Sequence, residues 1–252
     1  MGSYTTQAIV LNSKSFGEAD RILTLLTYER GKIRAVARGA RRPRNRLAAV
    51  IQPISHVEVQ IMEGNQLDTL NQGQLINTYR FLKEDLDKLA YATYLAELFE
   101  KATEGATELR DYFILLLTAL EIVQNFENLK LTRFFIEAKL IVLQGYAPSL
   151  SNCIHCNRDL KSAEPQQQML YSPENGGLYC PQCFPGGIHV KLTVREIRFW
   201  QELMKQDPRW LIAQQPEQAM LEAVGKALAA ALTEIFGALP KSASFLQTLS
   251  EL

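Results

Sequence analysis

Long apolar runs are missing from this chain of 252 residues, which nowhere reaches the roughly eighteen consecutive apolar residues a membrane-spanning helix needs. No charged stretch followed by an apolar one opens the sequence, so no secretory leader is expected, and the reading is a cytoplasmic protein without a membrane partner. No G-x-x-x-x-G-K-[ST] loop occurs, which removes an ATP-driven motor. Internal repeats and low-complexity tails are absent as well. Cysteines number only four. Net charge is absent too, because 27 basic side chains cancel 27 acidic ones.

The most telling absence is local: no acidic residue lies between Arg30 and Glu58. That span instead holds Lys32, Arg34, Arg38, Arg41, Arg42, Arg44 and Arg46. Like charges this close repel, so a fold gains by presenting them to a polyanion whose condensed counterions are released on binding. Six of the seven are arginines, whose planar donor fork fits phosphate oxygens and stacks on bases. Candidate nucleic-acid-binding residues are therefore these seven. Zero net charge is a sum of unlike parts, since residues 1–80 carry 11 basic and 6 acidic side chains while 81–150 carry 7 and 11. A polyanion-binding N-terminal unit beside a more acidic middle is the expectation.

Residues 1–80 read as five short strands. Thr5 to Leu11 and Ile22 to Thr27 are rich in β-branched and apolar residues, and Lys32 to Arg38 alternates polar with apolar. Two further strands, around Val57 to Ile61 and Leu67 to Thr78, flank the turn-like Glu63-Gly64-Asn65. Five strands suit a small barrel; an OB-fold is expected, with an SH3-like barrel as the alternative. Alternation puts Lys32, Arg34 and Arg38 on its outer face. The period then changes to that of helices over Phe81 to Ala102, Leu109 to Asn125 and Leu131 to Gln144, the last closed by Gly145 and Pro148. Thr193-Val194-Arg195-Glu196 has capping-box spacing for a helix through Lys205, and Pro216 to Phe236 reads as an Ala-rich helix. The fold class is thus α+β: a barrel at 1–80, a helical domain at 81–150 and 191–252, and an inserted module at 151–190.

All four cysteines lie in two pairs, Cys153-Ile154-His155-Cys156 and Cys180-Pro181-Gln182-Cys183. Two residues between thiolates let a knuckle turn aim both sulfurs at one ion, and two knuckles complete a tetrahedral shell around Zn²⁺. Four thiolates leave no open position for a water nucleophile, so one structural zinc is expected and catalytic zinc is disfavoured. A disulfide pairing conflicts with a cytoplasmic location.

Two enzyme readings compete with this. His56-Val57-Glu58 with Cys180-Pro181-Gln182-Cys183 superficially matches a zinc-deaminase pattern, but Tyr179 stands where that pattern wants proline, and Cys153 and Cys156 would go unexplained. Glu18 and Asp20 could hold Mg²⁺ for a nuclease, yet beside Arg21 and the cationic loop they serve better as caps or ion pairs. The alternatives kept open are a zinc-ribbon nuclease and a transcription adaptor. Should the basic loop not carry affinity, Lys191, Arg195 and Arg198 are the next candidates.

Taken in order, Gly17-Glu18-Ala19-Asp20-Arg21, Leu25-Leu26-Thr27, Gly31-Lys32 and Ala35-Val36-Ala37-Arg38-Gly39-Ala40-Arg41-Arg42-Pro43 closely resemble the bacterial RecO recombination-mediator family. Gly145-Tyr146-Ala147-Pro148 before the first cysteine pair resembles it too, whereas Asn45 departs from a common serine. The resemblance implies a non-enzymatic protein that binds single- and double-stranded DNA and anneals complementary strands. It also implies work with RecR, contact with the C-terminal tail of single-stranded DNA-binding protein, and indirect help to RecA. Some relatives lack the four cysteines, so it does not make zinc essential to activity. For the acidic, Phe-ended tail, Arg133 and then Lys130 on the third helix are the candidate partner-binding residues.

Overall fold

A computed structural model describes residues 2–42, 45–105 and 109–249. Five strands come first: β1 (Ser3–Phe16), β2 (Asp20–Thr27), β3 (Gly31–Ala37), β4 (His56–Met62) and β5 (Asp68–Asn77). Helices α1 (Arg80–Glu84), α2 (Leu86–Ala102), α3 (Arg110–Asn125) and α4 (Leu129–Leu143) follow. Four short strands come next, β6 (Ser149–Cys153), β7 (Gln168–Ser172), β8 (Gly177–Tyr179) and β9 (Val190–Thr193). The chain ends in α5 (Val194–Lys205), a 3-10 turn (Pro208–Ala213), α6 (Gln218–Phe236) and α7 (Ser242–Leu249).

The first five strands close into a barrel in the order β1-β2-β3-β5-β4. Neighbours run antiparallel except β3 and β5, which are parallel. This arrangement fits the OB-fold expected from the sequence. Inward positions are apolar with the two-residue period a half-buried strand requires: Ala8 and Val10, Leu23 and Leu25, Ala35 and Ala37, Val57, Val59 and Ile61 fill the interior. β1 borders both β2 and β4, and an irregularity between Val10 and Asn12 lets this long strand bend from one partner to the other.

By its contacts the chain forms two compact units, Met1–Glu127 with Pro240–Leu252, and Asn128–Leu239. The sequence boundaries at residues 80, 150 and 190 follow changes of element type instead. In the first unit, helices cover the barrel: Phe113 of α3 meets the rings of Tyr28 and His56 edge-on, and Asn12 donates to Glu100 of α2. One helix was expected from residue 81 to 102, but the backbone leaves helical geometry at Asp85 (φ −107°, ψ 119°). Asp85 instead caps α2 by accepting the Lys88 N–H, a local bond that aspartate offers in competition with a continuous helix. α7 returns to this unit, where Glu97 of α2 accepts from the Ser242 N–H and hydroxyl.

In the second unit, β6-β8-β7-β9 form a sheet. Trp200 of α5 is fully buried and meets Tyr171 of β7 at 4.9 Å between ring centroids. The capping box is present as its spacing predicts: Thr193 accepts from the Glu196 N–H, and the Glu196 carboxylate accepts from the Thr193 N–H. α4 and α6 pack so closely that Gly225 lies directly against the ring of Phe134.

Candidate nucleic-acid interface and metal centre

The basic stretch occupies β3 and the loop that leaves it. Alternation along β3 buries Ala35 and Ala37 and turns Arg34 outward, and Arg38, Arg41, Arg42 and Arg46 in the following loop are all exposed. Among the described residues none of these five arginines forms an ion pair. Arg44 lies outside the described residues. Lys32 differs: its ammonium donates to the Glu100 carbonyl at 2.7 Å, and partial burial holds it below its usual pKa. It serves the barrel-to-helix contact, where β3 begins, while the arginines face water where β3 ends. Lys14, exposed on β1, stands opposite Ile22 of β2, which in turn stands opposite Val36 of β3. Lys14 therefore joins the same outer surface, although it lies outside the acid-free span, because strand pairing and not sequence proximity brings it there.

The loop is built, not merely charged. Gly39 adopts φ +62°, a left-handed conformation that glycine takes without cost, and its N–H donates to Asp20 Oδ1 at 2.7 Å. Asn45 bridges the loop by donating to the Gly39 carbonyl and accepting from the Leu47 N–H, each at 2.7 Å. The Arg41 N–H donates to the Ala19 carbonyl at 2.9 Å. Asp20 thus holds backbone, as expected for a cap, and Glu18 is exposed on the β1–β2 turn. His56 and Glu58 are also accounted for within the barrel: His56 pairs with Gln7 at 3.1 Å, and Glu58 accepts from Gln74 at 2.7 Å. Burial lowers the His56 pKa, as an apolar neighbourhood does to an imidazolium.

The cysteines converge as their spacing predicts. The sulfurs of Cys153, Cys156, Cys180 and Cys183 all lie within 4.8 Å of one another, and none is in a disulfide. Each pair sits on a tight turn: the Asn157 N–H donates to the Cys153 carbonyl and the Cys183 N–H to the Cys180 carbonyl, both at 2.9 Å. Asn157 takes φ +58° to complete the first turn. The Cys180 N–H also points at Cys153 Sγ, 3.4 Å away. Burial raises the Cys153 thiol, but backbone N–H groups of Cys156, Cys180 and His155 outweigh it and bring it down to about 6. Cys183 is driven the other way by its sulfur neighbours. Four sulfurs this close ionise together only around a cation, and the donor set fits Zn²⁺ in a closed four-sulfur shell.

The other nominated cations are mostly engaged. Arg133 donates to Glu137 at 2.6 Å; its side chain is 13% exposed and that of Glu137 is fully buried. Lys130, three residues earlier, is half-buried and has no ion pair among the described residues. Arg195 pairs with Glu217 at 2.8 Å, and Arg198 donates to the carbonyls of Leu160, Lys161 and Ala163. Lys191 is exposed on β9.

Comparison with known proteins agrees with this layout. The family model described as Recombination protein O N terminal matches residues 1–79, over the barrel, and Recombination protein O C terminal matches residues 83–234. A DNA repair protein RecO of Symbiobacterium thermophilum is 35% identical over 252 residues, covering 99% of this chain and 98% of that protein. RecO of Pelotomaculum thermopropionicum is 37% identical over 183 residues, 73% of this chain and 69% of that one. The Bacillus subtilis protein is 35% identical over 198 residues, 77% and 75% respectively. With both family models aligned in order on one chain, and identity running almost from end to end of a relative, the chain belongs to the RecO family of DNA repair and recombination proteins.

Proposed function

We propose that this protein is a non-enzymatic recombination mediator that binds DNA through Arg34, Arg38, Arg41, Arg42 and Arg46 and anneals complementary strands. The carrying observation is five exposed arginines, without an ion pair among the described residues, on one strand and loop of an OB-type barrel, held by Asp20 and Asn45. Arg44 belongs to the same run of sequence, and Lys32 contributes through the barrel-to-helix contact. Annealing follows from electrostatics, because a cationic surface that neutralises phosphates on two strands lowers the repulsion opposing their pairing. Base pairing then supplies the driving energy, with no nucleotide hydrolysis.

The partners proposed are those of the family resemblance: single- and double-stranded DNA, RecR, the tail of single-stranded DNA-binding protein, and RecA indirectly. On the second unit Lys130 is the better cation for the acidic tail, since Arg133 is committed to Glu137. Cys153, Cys156, Cys180 and Cys183 would hold one Zn²⁺. When bound it supplies cross-linking of two chain turns and no chemistry on substrate, because all four positions are filled by protein. The test is strand annealing without ATP, comparing wild type with Arg41→Glu combined with Arg42→Glu. Annealing by wild type and a clear loss in the double variant are expected. Metal-dependent cleavage of labelled DNA would favour the nuclease reading instead.

A further inference from the structure

The strand register arranges the outer faces of β1, β2 and β3 in rows. Asn12, Thr24 and Arg34 form one row, and Lys14, Ile22 and Val36 the next. One step nearer the hairpin tip, Phe16 stands opposite Asp20. Phe16 is 50% exposed and meets no aromatic partner among the described residues. An aromatic ring left in water at the end of a strand contributes little to a core. The hairpin tip next to it is nevertheless fixed. The Arg41 N–H donates to Ala19, its guanidinium reaches the Gly17 carbonyl at 3.4 Å, and Asp20 accepts from Gly39. Hairpin tip and arginine loop are thereby tied together, with the ring on the strand that leads into the tip.

From this placement we infer that Phe16 is a stacking platform for a nucleobase of single-stranded DNA whose phosphates are held by Lys14, Arg34, Arg38 and Arg41. The inference rests on the DNA-binding reading and gives it a strand preference. Every base offers a π-face, so stacking on a ring amid cations is tolerant of sequence. A duplex keeps its bases stacked on one another and presents phosphates outward, so the ring has no face to meet there. The cations beside Phe16 also decide between occupants: they attract a polyanion and repel a second copy of the same surface.

The experiment measures affinity for a single-stranded oligonucleotide, for an abasic strand of equal length and phosphate count, and for a duplex, at one fixed salt concentration. Phe16→Ala is expected to lose about tenfold on the base-bearing strand and nothing on the abasic strand or duplex, while Phe16→Trp keeps wild-type affinity. Equal affinity of Phe16→Ala and wild type for the base-bearing strand overturns the proposal. So does an equal loss on the abasic strand, which would mean the ring only supports the loop, or a change in oligomeric mass, which would mean it covers a second copy. Arg41→Glu with Arg42→Glu runs alongside. If that variant binds like wild type, the DNA-binding reading itself falls; if it loses affinity while Phe16→Ala does not, only the stacking role falls.

Discussion

Asp20 shows how one side chain decides between two chemistries. A carboxylate near basic residues in a DNA-binding surface could hold a metal for cleavage, but this one accepts the Gly39 N–H at 2.7 Å and so fixes the loop that carries the arginines. Asp20→Ala should lower stability by about 1.5–3 kcal/mol, the range for losing a hydrogen bond to a charged acceptor. Urea denaturation checks the stability. DNA affinity should fall as well, although the change removes a negative charge, because the arginines lose their fixed geometry. At Arg133 the same logic runs through burial. Arg133→Glu sets a second carboxylate against fully buried Glu137 and should cost about 3 kcal/mol or more, with Lys130→Glu close to neutral. A labelled acidic peptide titrated against Lys130→Glu then tests docking on folded protein, and thermal melts of both variants establish which remains folded.

Among the elements, α4 and α6 owe their close approach to one missing methyl group. A Cβ at Gly225 would stand 2.4 Å from Cζ of Phe134, which is itself buried, so neither side has room to yield. Gly225→Ala gains helix propensity but should still destabilise the second unit by about 1–3 kcal/mol through overpacking. Gly225→Ala paired with Phe134→Leu should recover part of that loss, and denaturant midpoints of the two variants measure it. β3 was legible from alternation and the first two strands from their β-branched and apolar content, but the run of β1 from Asn12 to Phe16 was not, because its residues are mostly polar and only pairing with β2 holds it extended. The break at Asp85 was not legible, because a helix period of apolar residues continues across it while the capping bond is decided by geometry. α7 was likewise unread, since its place beside α2 depends on Glu97 meeting Ser242 from far along the chain.

For the whole molecule, neutrality conceals two kinds of linkage. One is to salt: on the proposed reading the cations on the barrel hold DNA phosphates and displace counterions, so log affinity should fall with log salt. Reversing Arg41 and Arg42 should flatten that slope on single strands by about 1.4, from two lost contacts at about 0.7 each. Titrations at several salt concentrations give the slope directly. The other is to metal. Metal binding is folding energy for the unit that holds it, so Cys153→Ser should release zinc and lower the melting of Asn128–Leu239 while the barrel keeps its structure. Elemental analysis finding one zinc per wild-type chain and little in the variant, with amide exchange followed in both units, checks this.

By itself the sequence determined what depends on neighbours along the chain: the alternation of β3, the capping box at Thr193, the paired cysteine spacings and the acid-free basic span. Each is set within a few residues by backbone period, turn geometry or unlike charge density. Tertiary structure alone decided which cations remain available. Lys32 is drawn to Glu100, Arg133 to Glu137 and Arg195 to Glu217, whereas Lys14 joins the arginine surface by strand pairing and Phe16 lies at its edge. A charge or ring in sequence records only what a residue can bind; burial and the partners that folding brings close decide what it has left to bind with.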